Sequence, residues 1–298
     1  MRTGSVLLAV SVIIVAISLI CIWFYPSIQD FAASNRMWNG IKNFKSEFGA
    51  SSTESLTGLP AAPEKTLLIT VPYLDYTDQD MLQLGQFVMN GGNLMLMDDY
   101  GYGNRLLEYL GVTVRFSGEP LLDPLFCYRN QWMPRVTDFG PEVNNAGVKS
   151  VMLDHATSIM DAASVEAIAW SSSTSFLDLN DNGSWEEGEP KGPFPVAAEF
   201  RFGKGRVDLV SDPSIMINSV YGRDDNYQFM KYLISRQTGI KNILIDNTHL
   251  TKASLDISKT RLAEARRLLS TPYAVLGIVA LIFIAVSGYT LRKGETFG

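Results

Sequence analysis

Two uncharged apolar runs, one near each end of the chain, constrain its fold more than any other feature. They cover residues 6–25 and 273–291 of the 298 residues. Each is about as long as the roughly 20 residues that an α-helix needs to cross the hydrocarbon core of a bilayer. The sequence therefore predicts two transmembrane helices, with short outer tails at 1–5 and 292–298 and a domain between them at 26–272.

Each run also has an alternative. The first resembles a signal peptide, but its apolar stretch is longer than the usual run of about 7–15 residues. The small residues Ala32, Ala33 and Ser34 also lie far downstream for a cleavage site. The alternative for the second run, a buried core helix, conflicts with its all-round apolar surface. Uncleaved membrane anchors are favoured over both alternatives.

The basic residues around the two runs predict which side of the membrane the domain occupies. Two spans place both termini on one side, and the tails carry Arg2, Arg292 and Lys293. Arg266 and Arg267 oppose this assignment, because they precede the second run on the domain side. Long domains cross largely regardless of their charge. We therefore expect a two-pass plasma-membrane protein with the domain outside and both termini in the cytoplasm.

Charge and cysteine content argue against a nucleic-acid partner and against an intrachain disulfide. The formal net charge of −6 argues against nucleic acid as a partner, which requires a clustered basic face. Cys21 lies in the first apolar run and Cys127 is the single cysteine of the domain. No intrachain disulfide is therefore predicted, and a domain of this size can be stabilised by its core alone.

Between the two runs, short apolar strands alternate with helices. The predicted strands are 66–71, 94–97, 112–116, 151–153, 167–170, 196–202, 207–210 and 243–245, and the predicted helices are 27–48, 77–89, 104–110, 226–238 and 258–270. Apolar strands separated by helices are typical of a parallel sheet that is covered on both faces. A Gly-containing turn at 203–205 predicts a hairpin, and residues 118–149 show no clear period. The fold class is therefore α/β, with a core at about 34–247 and a membrane-proximal helix at 258–270.

The most specific local motif lies at residues 178–189. Its spacing is that of an EF-hand calcium loop, with oxygen ligands at positions 1, 3, 5, 7, 9 and 12 and a glycine, Gly183, at position 6. The predicted calcium ligands are Asp178, Asn180, Asn182, the Ser184 carbonyl, Glu186 and Glu189.

A plain polar turn between two strands is the alternative for this loop. The two helices of an EF-hand are not predicted beside it, since residues 170–174 and 190–195 are rich in Ser and Pro. With two or three carboxylates we expect a weak calcium site, near the roughly millimolar affinity of extracellular modules. Such an affinity agrees with a domain outside the membrane.

Polar side chains that follow the predicted parallel strands form a second candidate site. Ligands of open α/β sheets usually bind at the carboxyl ends of the strands. The candidate ligand pocket comprises Tyr73, Asp98, Asp99, Asn104, Asp212, Ser214 and Asn218. Helix capping by Asp212 and Ser214 is the alternative, with Gly101 and Gly103 shaping a turn.

Recognisable catalytic motifs do not match the sequence. The two histidines are His155, beside Asp154, and His249, near Asp246. A Gly-x-Ser-x-Gly elbow, its Cys counterpart and a phosphate-binding loop are all missing from the sequence. Zinc bound mainly by histidines would need more histidines than the chain has, whereas a mixed His/Asp site stays open.

Several spaced motifs together resemble the membrane-anchored family called domain of unknown function 4350, over roughly residues 34–247. They include Ser34-Asn35-Arg36, Gly91-Gly92, Asp98-Asp99-Tyr100-Gly101, Gly192-Pro193-Phe194-Pro195, Gly203-Lys204-Gly205 and Ser211-Asp212-Pro213-Ser214. The resemblance implies a flavodoxin-like fold related to class I glutamine amidotransferases. In those enzymes a strand-to-helix elbow carries a nucleophilic cysteine, and the comparable strand ends here, 98–99 and 212–213, carry none. The family resemblance also implies assembly with membrane proteins that include a MoxR-type ATPase and transglutaminase-like proteins.

Together these features predict a membrane-anchored binding or scaffolding domain that is not an enzyme and is stiffened by calcium. The alternative is a metal-dependent hydrolase that uses Asp98, Asp99, Asp212 and a histidine. Convergence of these side chains on one pocket would favour the hydrolase.

Overall fold

Continuous apolar strands form the centre of a mixed α/β structure. The computed structural model describes residues 3–60, 62–236, 239–277, 279–280, 283–284 and 287. The described helices are α1 Thr3–Phe24, α2 Lys42–Phe48, α3 Asp78–Met89, α4 Asn104–Tyr109, α5 Pro141–Asn145, α6 Asn226–Ser235 and α7 Ser254–Leu269. The described strands are β1 Ser51–Thr53, β2 Thr66–Thr70, β3 Asn93–Met97, β4 Arg115–Phe116, β5 Leu121–Leu122, β6 Arg135–Val136, β7 Asp138–Phe139, β8 Val151–Met152, β9 Ile159–Met160, β10 Glu166–Trp170, β11 Phe176–Leu177, β12 Pro195–Phe202, β13 Gly205–Val210 and β14 Asn242–Asp246.

The strands form one large sheet and three small ones. The large sheet has the order β1-β14-β2-β3-β13-β12-β10-β7. Its first five strands pair in parallel, and β12, β10 and β7 extend one edge in antiparallel fashion. The parallel part has a strand order that differs from the 2-1-3-4-5 order of flavodoxin itself. Two-stranded antiparallel pairs β4–β9, β5–β11 and β6–β8 lie outside the large sheet.

Both faces of the parallel part are buried, as the continuous apolar strands predict. Leu67 and Ile69 of β2 belong to one core cluster, which also contains residues of α2 and α6. Leu68 of the same strand belongs to a second cluster, with residues of α3 and α4. Successive side chains of a strand point to opposite faces, so helices cover the sheet on both sides.

One predicted helix is wrong over most of its length. The stretch 27–48 is helical only at Lys42–Phe48. The side chain of Asn35 accepts a hydrogen bond from the Met37 N–H at 2.7 Å and donates to the Gln29 carbonyl at 2.8 Å. A short polar side chain that binds the neighbouring backbone offers it an alternative to the helix, so the apolar spacing of this stretch does not produce one.

The described chain divides into two compact units. One is Pro26–Thr251, which contains every strand described above, and the other combines Met1–Tyr25 with Lys252–Gly298. Within the second unit, Lys259 donates a hydrogen bond to the Tyr25 carbonyl. The Arg266 guanidinium lies 5.6 Å from the centre of the Trp23 ring. Helix α7 therefore packs beside the end of α1.

Among the described residues, one helix is long and apolar enough to cross a membrane. It covers Val6–Phe24, with a mean hydropathy of 3.0, and is compatible with either an anchor or a signal sequence. Much of the second predicted span, 273–291, lies outside the described residues, and those described within it are helical. The tail 292–298 also lies outside them, so the two-pass topology stays a prediction.

Candidate functional site

A cleft of about 360 Å³ lies where three neighbouring parallel strands end. Tyr73 follows β2, Asp99 follows β3 and Ser214 follows β13, and all three side chains line the cleft. The opposite wall comes from segments outside the parallel strands. These are Asp30, Phe31, Trp38 and Asn39 before α2, Met133, Asp154 and His155 around β8, and Ile217.

Asp98 fixes the loop that presents Asp99. Its carboxylate accepts hydrogen bonds from the backbone N–H groups of Tyr100 and Gly101, both at 2.9 Å, and of Gly103 at 2.6 Å. A Cβ on Gly103 would lie 3.0 Å from this carboxylate, so glycine permits the close approach. The Asp98 side chain therefore stabilises the loop through hydrogen bonds to its backbone.

Asp99 faces the cleft with an incompletely bonded carboxyl group. Its Oδ2 accepts a hydrogen bond from the Tyr73 hydroxyl at 3.3 Å. Its Oδ1 is buried and has no hydrogen-bond partner, and the residue is 8% exposed. Burial, together with the charge of Asp98, raises the pKa of Asp99 to about 7. The group therefore titrates close to neutral pH.

Asp212 lies fully buried and ties β13 to the far wall of the cleft. Its carboxyl oxygens accept hydrogen bonds from the Ser214 N–H and the Asp154 N–H, both at 2.7 Å. Burial raises the pKa of Asp212 to about 8, and the nearby Asp99 contributes to this. Asp212 thus positions the Asp154–His155 pair.

His155 is the basic side chain among the residues that line the cleft. Its Nδ1 lies 2.8 Å from Asp154 Oδ1, and this hydrogen bond raises the pKa of His155. The imidazole stacks on Trp132 with ring centres 5.4 Å apart. The Asp154-His155 adjacency was visible in the sequence, but nothing there connected it to the strand ends.

Two predicted pocket residues bind the backbone elsewhere. Asn104 makes two hydrogen bonds of 2.8 Å with the main chain of Phe116. Asn218 accepts from the Asn43 N–H at 2.9 Å and donates to the Met37 carbonyl at 2.6 Å. Neither side chain lines the cleft. Of the seven predicted residues, the structure brings Tyr73, Asp99 and Ser214 into the cleft, with Asp212 behind it.

The family described as "Domain of unknown function (DUF4350)" matches residues 33–234. The chain belongs to this family. No curated protein matches the sequence. The match lies inside the unit Pro26–Thr251 and contains the cleft residues that follow the three strands, so the cleft is a feature of the DUF4350 domain.

The DUF4350 domain also resembles solved structures in its fold. A structure titled "mmIFT52 N-terminal domain" superposes with a TM-score of 0.53 at 13% identity, covering 71% of this chain and 94% of that one. Two β-galactosidases, from Bacillus circulans sp. alkalophilus and Rahnella sp. R3, give TM-scores of 0.35 and 0.37 at 14% and 13% identity. These matches cover 56% and 59% of this chain but only 22% and 23% of the galactosidases. At such identities the first likeness shows the fold alone, and the other two are too low to argue from.

The second histidine, His249, follows the family match and lies in a separate buried network of the unit Pro26–Thr251. His249 Nδ1 is 2.6 Å from Asp246 Oδ2, and its Nε2 is 3.4 Å from Asp80 Oδ2. Burial alone would lower the pKa of His249, but the bonds and charges of these two carboxylates outweigh burial and raise it. Thr70 also donates to Asp246 at 3.0 Å. Both ring nitrogens are thus engaged by carboxylates, one at the end of β14 and the other in the first turn of α3.

The predicted calcium ligands come together in one hydrogen-bonded loop. The fully buried Asp178 carboxylate accepts from the N–H groups of Asn182 and Gly183, at 3.2 and 2.7 Å. Glu189 accepts from the N–H of Glu186 at 2.9 Å. The remaining contacts are Asn180 and Asn182 amides to the Glu186 carboxylate at 3.2 and 2.7 Å, Asn182 Oδ1 to the Ser184 N–H at 2.7 Å, and Glu189 to the Leu179 N–H at 2.9 Å.

In the described part of the chain, no three His, Cys, Asp or Glu side chains lie close enough together to hold a metal ion by themselves. This applies to Asp178, Glu186 and Glu189 as well. A calcium ion in the loop would therefore depend on asparagine and backbone oxygens in addition to carboxylates, which calcium accepts.

Proposed function

We propose that this chain is a membrane-anchored binding domain that is not an enzyme and whose ligand occupies the cleft at the carboxyl ends of β2, β3 and β13. The observation that carries the proposal is the cleft itself, lined by Asp99, whose buried Oδ1 has no hydrogen-bond partner. Buried polar groups in native proteins are nearly always hydrogen-bonded. A buried, unpartnered oxygen on a residue that lines a cleft is therefore best explained by a ligand that donates to it.

The alternative function, a metal-dependent hydrolase, has weaker support. Asp99, Asp212 and His155 do approach one another, but Asp98 binds its own loop and His249 binds Asp246. The described residues also offer no grouped set of metal-binding side chains. Asp212 does not line the cleft itself; its carboxyl group binds the backbone N–H groups of Asp154 and Ser214, which do. The geometry supports binding better than bond cleavage.

The anchoring and the partners belong to the same proposal. Two membrane spans with the domain outside are part of the proposal: the apolar helix Val6–Phe24 supports the first span, and the second span and the orientation rest on the apolar run 273–291 and the basic tails. A distant relationship to flavodoxin-like glutamine amidotransferases is proposed on family resemblance; the parallel strands agree with it, although their order differs from that of flavodoxin. A MoxR-type ATPase and transglutaminase-like membrane proteins are proposed partners on family resemblance.

Site-specific photocrosslinking in intact membranes tests the proposed function. A benzophenone side chain replaces Tyr100, which lines the cleft and is 60% exposed, or Tyr109 of α4, which is 48% exposed and serves as the control. We expect a discrete adduct from position 100 and none from position 109. No adduct from position 100, or the same adduct from both, contradicts a binding cleft.

We further propose that the loop 178–189 binds calcium weakly and stiffens the domain. For a dissociation constant of about 1 mM, about 10 mM calcium should stabilise the fold by roughly 1.4 kcal/mol. This corresponds to a rise in Tm of about 3–6 °C for a domain of this size. Thermal unfolding of the full chain in detergent, with calcium or with chelator, measures the shift.

Matched variants separate a calcium site from a polar turn. Asp178→Ala and Glu189→Gln should abolish the calcium-dependent rise in Tm. Asp181→Asn, at an exposed position of the loop outside the ligand spacing, should retain it. The proposal is wrong if the wild type shows no rise, or if the first two variants keep it.

A further inference from the structure

The chemistry of the cleft points to one class of ligand. Resting on the proposed binding function, we infer that the cleft recognises an alkylammonium group, which donates a hydrogen bond to Asp99 Oδ1 and packs against the aromatic wall. Three features of the cleft support an alkylammonium ligand: its acidic side chains, its aromatic rings and the unpartnered oxygen of Asp99.

The acidic side chains make the cleft favourable for a cation. Asp30, Asp99 and Asp154 line it, and His155 is the single basic side chain among its lining residues. His155 is already bonded to Asp154, and Asn39 donates to Asp30. Asp99 Oδ1 is thus the carboxylate oxygen of the cleft that is buried and unpartnered.

Aromatic rings beside Asp99 supply the second element. Phe31 and Tyr73 have ring centres 5.4 Å apart, and Tyr73 and Tyr100 have centres 5.5 Å apart. Trp38 also lines the cleft. Cations are attracted to the faces of such rings, and sites for ammonium ligands combine aromatic walls with a carboxylate. This combination favours an organic cation over a hydrated inorganic one.

The number of free acceptor positions distinguishes an ammonium from a guanidinium. A guanidinium forms two parallel hydrogen bonds with both oxygens of a carboxylate. In Asp99 the Tyr73 hydroxyl already takes up part of the acceptor capacity of Oδ2, whereas Oδ1 has no partner. A single-point donor such as an ammonium fits this acceptor better. The volume of about 360 Å³ also lies at the small end of ligand pockets.

Binding should strengthen as the pH rises. An ammonium pairs with the ionised form of Asp99, whose pKa is raised to about 7. The titratable groups that face Asp99 are Asp30, Tyr73, Asp98, Tyr100, Asp154, His155 and Asp212. Loss of the proton from His155 on raising the pH removes a competing positive charge, so it acts in the same direction. We expect about tenfold tighter binding at pH 8 than at pH 6.

Ligand-observed NMR titration of the full chain in zwitterionic nanodiscs tests the inference, with empty nanodiscs as the blank. The probe is n-butylammonium chloride, for which we expect a dissociation constant of about millimolar size. Neutral n-butanol should not bind, and n-butylguanidinium should bind more weakly. N-acetyl-lysine amide and 1,5-diaminopentane then distinguish a peptide lysine from a free amine as the natural source.

Three variants locate the binding. Asp99→Asn should weaken n-butylammonium binding about tenfold or more, and the exposed Tyr100→Ala should weaken it about threefold or more. Glu187→Gln, at an exposed position of the loop 178–189, should leave it unchanged. Absence of n-butylammonium binding, equal binding of n-butanol, or binding unaffected by both cleft variants would overturn the inference.

The outcome is separable from that of the proposed function. Crosslinks from position 100 without binding of any ammonium probe would retain a binding cleft and reject the ammonium. If position 100 gives no crosslink and no ammonium probe binds, both the binding cleft and the ammonium ligand are rejected.

Discussion

Replacing Arg236 by methionine should destabilise the domain by about 3–5 kcal/mol, because it breaks a buried ion cluster. The Arg236 guanidinium contacts Asp208 of β13 and Glu199 of β12. These side chains are 8%, 1% and 12% exposed, in that order. Burial raises the pKa of Asp208 to about 6 even with Arg236 beside it, so removing the cation leaves a costly carboxylate behind.

Urea unfolding of the full chain in detergent, followed by tryptophan fluorescence, measures this loss. Arg201→Met is the matched control, because Arg201 lies on β12 with an exposed side chain. Its effect should stay within about 0.5 kcal/mol. Adding Asp208→Asn to Arg236→Met should restore part of the loss. A loss below about 1 kcal/mol for Arg236→Met would show that the cluster behaves as a surface ion pair.

Asp212→Asn should flatten the dependence of stability on pH between about pH 5 and pH 7.5. The folded-state pKa of Asp212, about 8, lies above its ordinary value of 3.8. The folded state therefore keeps a proton that the unfolded state releases, and the stabilisation present at low pH is lost as the pH rises. One such proton changes the unfolding free energy by about 1.4 kcal/mol per pH unit, and asparagine removes this contribution.

Unfolding free energies of wild type and variant across this pH range measure the difference in slope. The slope is the quantity to compare, because asparagine also loses one of the two backbone hydrogen bonds that Asp212 accepts. Asp99→Asn should change the slope in the same direction, since its pKa is also raised. Glu187→Gln should run parallel to wild type. Parallel curves for Asp212→Asn and wild type would mean that Asp212 is ionised in the folded state.

The α/β class was predictable because local apolar pattern reflects burial. β2 and β3 are continuous apolar runs, and the structure buries them on both faces. Thr77 and Asp80 form a capping box at the start of α3, which a sequence can reveal. In contrast, β14 pairs between β1 and β2, an order that depends on contacts between distant segments.

Of the residues that line the cleft, the sequence predicted only ones that follow the parallel strands. Tyr73 and Asp99 follow β2 and β3, and the rule that ligands bind at strand ends placed them correctly. Asp154 and His155 reach the cleft through a backbone bond to Asp212, which no periodicity reveals. Asn104 was assigned to the pocket because it is polar and near a strand end, but its amide binds the backbone of Phe116.

The proposed recognition of an ammonium ligand requires Asp99 to present a buried carboxyl group with one unpartnered oxygen. The most direct test is to follow the ¹³C-carboxyl shift of Asp99 through a pH titration, without and with n-butylammonium. We predict a pKa of about 7 in the free protein, because burial disfavours the charged form, and a lower pKa with the amine, which pairs with that form. A pKa near the ordinary 3.8 in the free protein, or one that the amine leaves unchanged, would contradict the proposal.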